Sequence, residues 1–244
     1  MVSRIVLAVG GLVLCWTGWQ VAGRSVQDRL VQTTDRAAAA AARVRPALER
    51  ELTGANLRWG APAFVRVFKR ERELELWLAA ADGRFTLFRT WPICTYSGDL
   101  GPKLRQGDNQ APEGFYRVTR GQLNPASRFH LAFNLGYPNA YDRAHGRTGD
   151  FLMVHGNCVS IGCYAMGDAA IEEIYTLLDA ALAAGQDAVE VHAFPFRLES
   201  TMLAAESDSP WHDFWSELAR GYDGFEHRRV PPRIVVADGH YIVQ

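Results

Sequence analysis

The stretch Phe64–Phe88, FVRVFKRERELELWLAAADGRFTLF, predicts a β-rich fold. Apolar and polar residues alternate in Phe64–Phe68 and again in Leu74–Leu78, with the two-residue period of a strand. Asp82-Gly83 is a hairpin turn signal, and a third apolar run, Phe85–Phe88, follows it. Because polar residues fall between the apolar ones, the pattern predicts an antiparallel sheet with one buried face and one face in water.

The rest of the chain adds helices and more strands to this core. Asp168 is placed to cap a helix whose apolar residues recur at helical spacing as far as Gly185. An amphipathic helix is predicted over Trp211–Tyr222. Further strands are predicted at Phe115–Thr119, Phe129–Leu135, Phe151–His155 and Val189–Phe194. The predicted fold class is therefore α+β and β-rich, with a mixed β-sheet or sandwich core and helical extensions at both ends.

The N-terminus has the features of an export segment. Arg4 precedes 19 uncharged residues, Ile5–Gly23, which read as a positive n-region followed by an apolar h-region. Val21-Ala22-Gly23 offers small residues to a signal peptidase, yet the segment is nearly long enough to stay as a membrane anchor. We therefore expect residues 1–23 to be a signal peptide or an anchor. The expected location is the periplasm or cell envelope, with inner-membrane contact only if the segment is retained.

Composition and patterning divide the remainder of the chain. The net charge of −1 and the pI near 6.7 exclude the strongly basic surface of a nucleic-acid-binding domain. Residues 24–59 are rich in helix formers with a thin apolar stripe, which suits either a helix packed on the main domain or a solvated spacer. Residues 60–198 are expected to form the catalytic domain, and 199–244 a helical extension packed on it.

His155 and Cys163 lie eight positions apart among small, loop-forming residues. Gly156, Gly162 and their neighbours disfavour a continuous helix, so we expect a loop between the strand ending at His155 and the helix after Asp168. If this loop folds back, His155 can take the thiol proton while Cys163 attacks a carbonyl and forms a thioester. Main-chain N–H groups around Cys163 could then bind the oxyanion. The alternatives are a structural histidine and an inert, buried thiol.

Three cysteines lie outside the export segment: Cys94, Cys158 and Cys163. An odd number in an oxidising compartment permits one disulfide at most and leaves at least one thiol free. For Cys158, a disulfide with Cys94 or a packed thiol is favoured over a catalytic role. A second class of site remains open, in which His155, Cys158 and Cys163 bind a metal ion.

The same region carries a family resemblance. His155-Gly156, then Ser160-Ile161-Gly162-Cys163 with Met166 and Asp168, resembles the active-site motif of the YkuD-type L,D-transpeptidase family, in particular its YafK-like branch. The similarity extends from about Gly60 to near the C-terminus. It includes Phe64–Leu78, Cys94–Lys103, Ala111–Tyr116, Phe133–Arg143 and Gly221–Pro232.

The resemblance implies a β-rich catalytic domain with Cys163 as nucleophile and His155 as base. A main-chain carbonyl, here that of Gly156, would orient the histidine, while Gly162 and Ser160 would support the site and its oxyanion hole. The resemblance implies no metal and no cofactor. It implies peptidoglycan stem peptides as substrate, with acylation at an L,D bond and then attack by an amine or by water.

Two departures from the broader family leave the acceptor open. Ile161 replaces the second histidine of the usual motif, and Ala165 replaces an arginine commonly found two residues after the cysteine. Both agree with the YafK-like branch, which includes members that release proteins attached to peptidoglycan, so a peptidoglycan-linked protein is a further expected partner. The remaining alternative is a non-catalytic peptidoglycan-binding module. Carboxylate recognition or pocket lining is expected from Asn134, Tyr141, Arg143 and Arg147, unless these are solvated loop residues.

Overall fold

The computed structural model describes residues 36–244. The predicted export segment 1–23 and the beginning of the segment 24–59 lie outside the described residues. No helix within 36–244 combines the length and the apolar character that crossing a bilayer requires. The helices are α1 (residues 36–54), α2 (Ala140–Ala144), α3 (Asp168–Ala183), α4 (Ser200–Ala204) and α5 (His212–Arg228).

The described strands form two five-stranded sheets and a C-terminal hairpin. The first sheet has the order β3-β2-β1-β10-β5, and the second has the order β4-β9-β8-β7-β6. Each sheet contains one parallel pair, β1 with β10 and β8 with β9, so both sheets are mixed. The α+β prediction is confirmed. The strands are β1 (Ala63–Phe68), β2 (Glu73–Ala79), β3 (Phe85–Pro92), β4 (Thr95–Tyr96), β5 (Gly114–Val118), β6 (Leu123–Asn124), β7 (Ala132–Asn134), β8 (Met153–His155), β9 (Tyr164–Ala165), β10 (Val189–Phe194), β11 (Ile234–Ala237) and β12 (His240–Val243).

The central strands of the first sheet are covered on both faces, contrary to the expectation of one wet face, whereas the edge strand β3 is partly exposed. Arg66 and Glu75 are cross-strand partners on β1 and β2, and both are buried. The Arg66 guanidinium lies 2.7 Å from Glu75 and 2.6 Å from Glu226 of α5. The polar side of the alternation therefore marks a buried ion-pair network under α5. The opposite side, which includes Val65 and Leu76, packs into the main core with α1 and α3.

The terminal segments both pack on this core. Ala40, Leu48 and Leu52 of α1 are buried in it, so the helix is not a solvated spacer. The C-terminal extension is not wholly helical, because β11 and β12 pair after α5. Their turn, Asp238-Gly239, has positive φ at both residues, which is what a tight hairpin turn requires. Asp-Gly between two apolar runs is a hairpin signal in the sequence itself.

A second buried ion pair joins the long loop after β4 to α5. Lys69 and Glu113 are fully buried with 2.9 Å between Nζ and Oε1. Lys69 also donates to the carbonyls of Asp99 and Gly101, and Glu113 accepts from the Trp215 indole. Burial lowers the pKa of Lys69, and Glu113 opposes that shift. Every charge in the pair has hydrogen-bonding partners, which is the condition for keeping it inside the protein.

We expect Lys69→Met to lower the free energy of unfolding by about 3–5 kcal/mol, because it leaves the Glu113 carboxylate buried without its cation. Urea unfolding followed by tryptophan fluorescence measures this loss. The control is Arg117→Met, which removes an ion pair to Glu190 in which the Arg117 side chain is 65% exposed. That variant should lose less than about 1 kcal/mol. Equal losses in the two variants would contradict a structural role for the buried pair.

Candidate active site

The parallel pairing of β8 with β9 brings His155 and Cys163 together. His155 is opposite Ala165, and Val154 is opposite Tyr164, so Cys163 stands immediately before β9. Side chains two residues apart on a strand share a face, which places the Cys163 and His155 side chains on the same side of the sheet. Strand spacing and rise give a diagonal of about 8 Å between their Cα atoms. Both side chains line a cleft of about 230 Å³.

The His155 imidazole is fixed by one hydrogen bond and one ring contact. Nδ1 lies 2.6 Å from the Gly156 carbonyl oxygen, which can only accept, so Nδ1 carries the proton and Nε2 is the basic nitrogen. The Phe129 ring stacks on the imidazole at 4.8 Å. Burial lowers the pKa of His155, and the bond to Gly156 opposes that shift. The imidazole is therefore neutral at pH 7.

The Cys163 thiol is free and partly buried. Its Sγ lies 3.5 Å from the Met153 N–H, which donates to it. Burial raises the pKa of Cys163, and the Met153 N–H and the positive charge of Lys103 oppose that shift. The resting pair is thus a thiol, which donates to the Phe151 carbonyl with 3.8 Å between Sγ and O, and a neutral imidazole in the same cleft. The arrangement suits a general base, with the proton leaving sulfur as sulfur attacks.

Ser160 organises the loop before the cysteine. Its Oγ accepts from the N–H groups of Gly162 and Cys163 at 3.2 and 3.0 Å, and donates to the Cys163 carbonyl at 2.8 Å. Among the main-chain N–H groups around Cys163, those of Gly162 and Cys163 donate to Ser160 here, and binding of an oxyanion by this loop stays a prediction. Gly162 has φ of +129°, a conformation that side-chain-bearing residues rarely adopt. Its role is to let the chain turn into β9.

The other half of the loop is held by the start of α3. The prediction that Asp168 caps α3 is wrong, because the N-cap residue is Gly167. Instead the Asp168 carboxylate accepts from the Asn157 N–H at 2.7 Å. Gly156 is packed tightly at this point. A Cβ on Gly156 would come within 2.6 Å of the Asp168 carboxylate and 2.8 Å of the Phe129 carbonyl oxygen. Close packing therefore requires glycine at the residue whose carbonyl orients His155.

A disulfide ties the same loop to the strand region before it. Cys94 is bonded to Cys158, and their Cα atoms are 5.5 Å apart. Cys158 is therefore unavailable as a thiolate ligand, so the alternative metal site of His155, Cys158 and Cys163 does not form. No other group of three His, Cys, Asp or Glu side chains suited to a metal is found in residues 36–244.

Two of the four predicted substrate-binding residues have structural roles instead. Tyr141 is buried and stacks on Tyr241 at 4.2 Å. Arg147 is also buried, with its guanidinium 2.9 Å from the Asp142 carboxylate and packed over the Tyr141 and Phe214 rings. Both side chains are used to dock the loop around α2 onto the C-terminal elements. Both are buried and neither lines the cleft of Cys163, a placement that disfavours substrate contact by these two side chains.

The other two do not line the cleft of Cys163. The Asn134 amide oxygen accepts from the Gly136 N–H at 2.8 Å and so shapes the turn after β7. Arg143 is exposed and lines a different cavity, of about 380 Å³, between β5 and β11. The cleft is lined instead by Arg128, Phe129, His155, Val159, Ser160, Ile161 and Cys163.

Arg128 and Phe129 were missed as site residues. Phe129 appears in the sequence as the start of a predicted strand, and nothing in the local pattern links either residue to His155. The link is tertiary. The antiparallel pairing of Ala132 on β7 with His155 on β8 brings the segment before β7 to this histidine.

Comparison with known proteins identifies the family. The family model described as YkuD, L,D-transpeptidase catalytic domain, matches residues 63–191. The chain is 48% identical over 184 residues to proteins named putative L,D-transpeptidase YafK from two Escherichia coli strains, covering 75% of this chain and 74% of theirs.

Two solved structures from Campylobacter jejuni are also similar, both of the helical cell shape determining protein Pgp2. A point mutant is 24% identical, with a TM-score of 0.46, and the match covers 66% of this chain and 56% of that one. A second structure is 18% identical, with a TM-score of 0.44, and the match covers 78% and 80% of the two chains.

The resting protonation state can be tested without a substrate. We expect the rate of Cys163 alkylation by iodoacetamide to keep rising with pH through about 8.5, the ordinary cysteine pKa, because burial holds this thiol protonated. Mass spectrometry of the Cys163 peptide separates it from Cys15. His155→Gln should leave the profile in place, since a neutral histidine does not stabilise the thiolate. A plateau reached below pH 7 would instead indicate a resting thiolate–imidazolium pair.

Proposed function

Because the chain belongs to the YkuD family of L,D-transpeptidase catalytic domains, we propose that it is a cell-wall cysteine enzyme performing acyl transfer at L,D bonds of peptidoglycan stem peptides. The observation that carries the proposal is the site pair itself. A free thiol at Cys163 shares a cleft with His155, whose basic nitrogen is selected by the hydrogen bond from Nδ1 to Gly156. We further propose that it acts in the periplasm or cell envelope.

In the first half-reaction Cys163 attacks the carbonyl carbon at the L-centre of the donor. Sγ forms a bond to that carbon while the thiol proton passes to Nε2 of His155. The tetrahedral intermediate then collapses, the C–N bond breaks, and His155 returns the proton to the leaving amine. The products are a thioester on Cys163 and a free amine, with His155 neutral again. Because the neutral pair is the resting state, no separate deprotonation precedes attack.

The second half-reaction reverses these roles toward a new acceptor. An amine or a water attacks the thioester carbon, His155 takes the acceptor's proton, and Cys163 leaves as the thiol. An amine acceptor makes the protein an L,D-transpeptidase, and water makes it an L,D-peptidase. The amine expelled or accepted could belong to a stem peptide or to a protein linked to peptidoglycan. Ile161 supports an acceptor different from that of the broader family. It replaces a histidine with an apolar side chain that is 81% exposed and lines the cleft of Cys163.

We expect Cys163→Ala to abolish turnover of purified muropeptides, and His155→Gln to lower kcat by about 10²- to 10⁴-fold, since it removes the general base. Liquid chromatography with mass spectrometry, with and without an added amino acid as acceptor, measures products. New adducts identify transpeptidation, and shortened stems alone identify hydrolysis. The control is His227→Gln, an exposed histidine in the last turn of α5, which should match wild type. Product profiles unchanged by Cys163→Ala would indicate a non-catalytic binding module.

A further inference from the structure

Arg128 lies in the wall of the cleft that contains His155 and Cys163. It lines the cleft together with Phe129, His155 and Cys163. The Phe129 ring contacts both neighbours: its centroid is 6.0 Å from the Arg128 guanidinium carbon and 4.8 Å from the His155 ring, on which it stacks. A substrate bound in this cleft therefore meets Arg128 as well as His155 and Cys163.

Among residues 36–244, Arg128 is the only arginine, lysine, aspartate or glutamate that lines this cleft, and burial lowers the pKa of His155 beside it. Its side chain is exposed and makes no hydrogen bond or ion pair with any of residues 36–244 that the structure describes. Other arginines near the core, such as Arg66 and Arg147, are bound to carboxylates. Arg128 thus presents five N–H donors to the cleft with no partner from this part of the protein.

The backbone that carries Arg128 is held from both sides. Arg36 of α1 donates to the carbonyls of Ser127 and His130, each at 2.9 Å. The His130 imidazole lies 2.7 Å from Glu172 of α3. An arginine whose flanking residues are anchored while its head group has no protein partner is preorganised for a ligand, because less backbone entropy is lost on binding.

No second cation is available to a substrate in the cleft, either from Lys103 or from β9. The Lys103 ammonium is buried and committed to Asp108 and to the Arg105 carbonyl. No cation comes from β9, because the residue two positions after the nucleophile, Ala165, is apolar and fully buried. An anionic substrate group in this cleft therefore has a single available guanidinium.

We propose that Arg128 is the receptor for a free carboxylate of the substrate, and so sets which stem peptides the site accepts. This rests on the proposed function. A planar guanidinium binds a carboxylate through two parallel N–H bonds, which fixes orientation as well as position. Diaminopimelate has a second amino-acid centre whose carboxylate stays free when its L-centre is acylated. Holding that carboxylate at Arg128 orients the L-centre carbonyl toward Cys163.

The test compares two substrates that differ only at that carboxylate, one free and one converted to the carboxamide. We expect Arg128→Ala to lower kcat/KM for the free acid roughly ten- to hundredfold, mainly through KM, and to leave the amidated substrate nearly unchanged. Arg128→Lys should recover part of the loss, since it keeps the charge without the planar fork. Arg120→Ala, an exposed arginine outside the cleft, is the matched control.

The outcomes separate this proposal from the proposed function. If wild type turns over neither substrate, the proposed function fails. If wild type turns over both, but Arg128→Ala reduces them equally or not at all, Arg128 is not the carboxylate receptor and the proposed function stands. Thermal unfolding establishes that the variants fold. Binding of both substrates to Cys163→Ala and to Cys163→Ala/Arg128→Ala, measured by calorimetry, gives a second readout: carboxylate preference must disappear in the double variant.

Discussion

The parallel pairing of β8 with β9 is the constraint on which the catalytic arrangement depends. Parallel neighbours need their chain to return to the same end of the sheet, usually through a dozen or more residues. Here the return uses only residues 156–163. Three local interactions hold this short connection in place. They are made by the Ser160 hydroxyl, the Asp168 carboxylate and the disulfide of Cys158. Because the register is fixed, the thiol and imidazole share one face.

Burial then determines the chemistry that this geometry can perform. A half-enclosed cleft destabilises both charged forms, raising the pKa of Cys163 and lowering that of His155. Both shifts favour a neutral resting pair, which suits the general-base mechanism that we propose. One hydrogen bond, from Nδ1 of His155 to the Gly156 carbonyl, selects the tautomer that makes this possible.

Elements distant in sequence hold the walls of this cleft. Arg36 and Glu172 fix the segment 127–130, whose Phe129 ring stacks on His155. The N-terminal helix is therefore more than a spacer, because it positions a residue in contact with the base. The buried charge of Arg66 anchors α5 through Glu226, and that of Lys69 anchors the loop after β4 through its carbonyls. Charged side chains are kept inside because each has carboxylate or carbonyl partners.

The sequence by itself determined the local features: the strand periodicity of Phe64–Phe88, the helix after Asp168, and the pairing of a histidine with a cysteine in a glycine-rich loop. These depend on residues close together in the chain, so period and turn chemistry report them. Only the tertiary structure decided which face Arg66 and Glu75 occupy, that Tyr141 and Arg147 are buried, and that Arg128 enters the cleft. Those outcomes depend on contacts between residues far apart in the chain, and an alternating pattern is the same whether water or a helix covers its polar side.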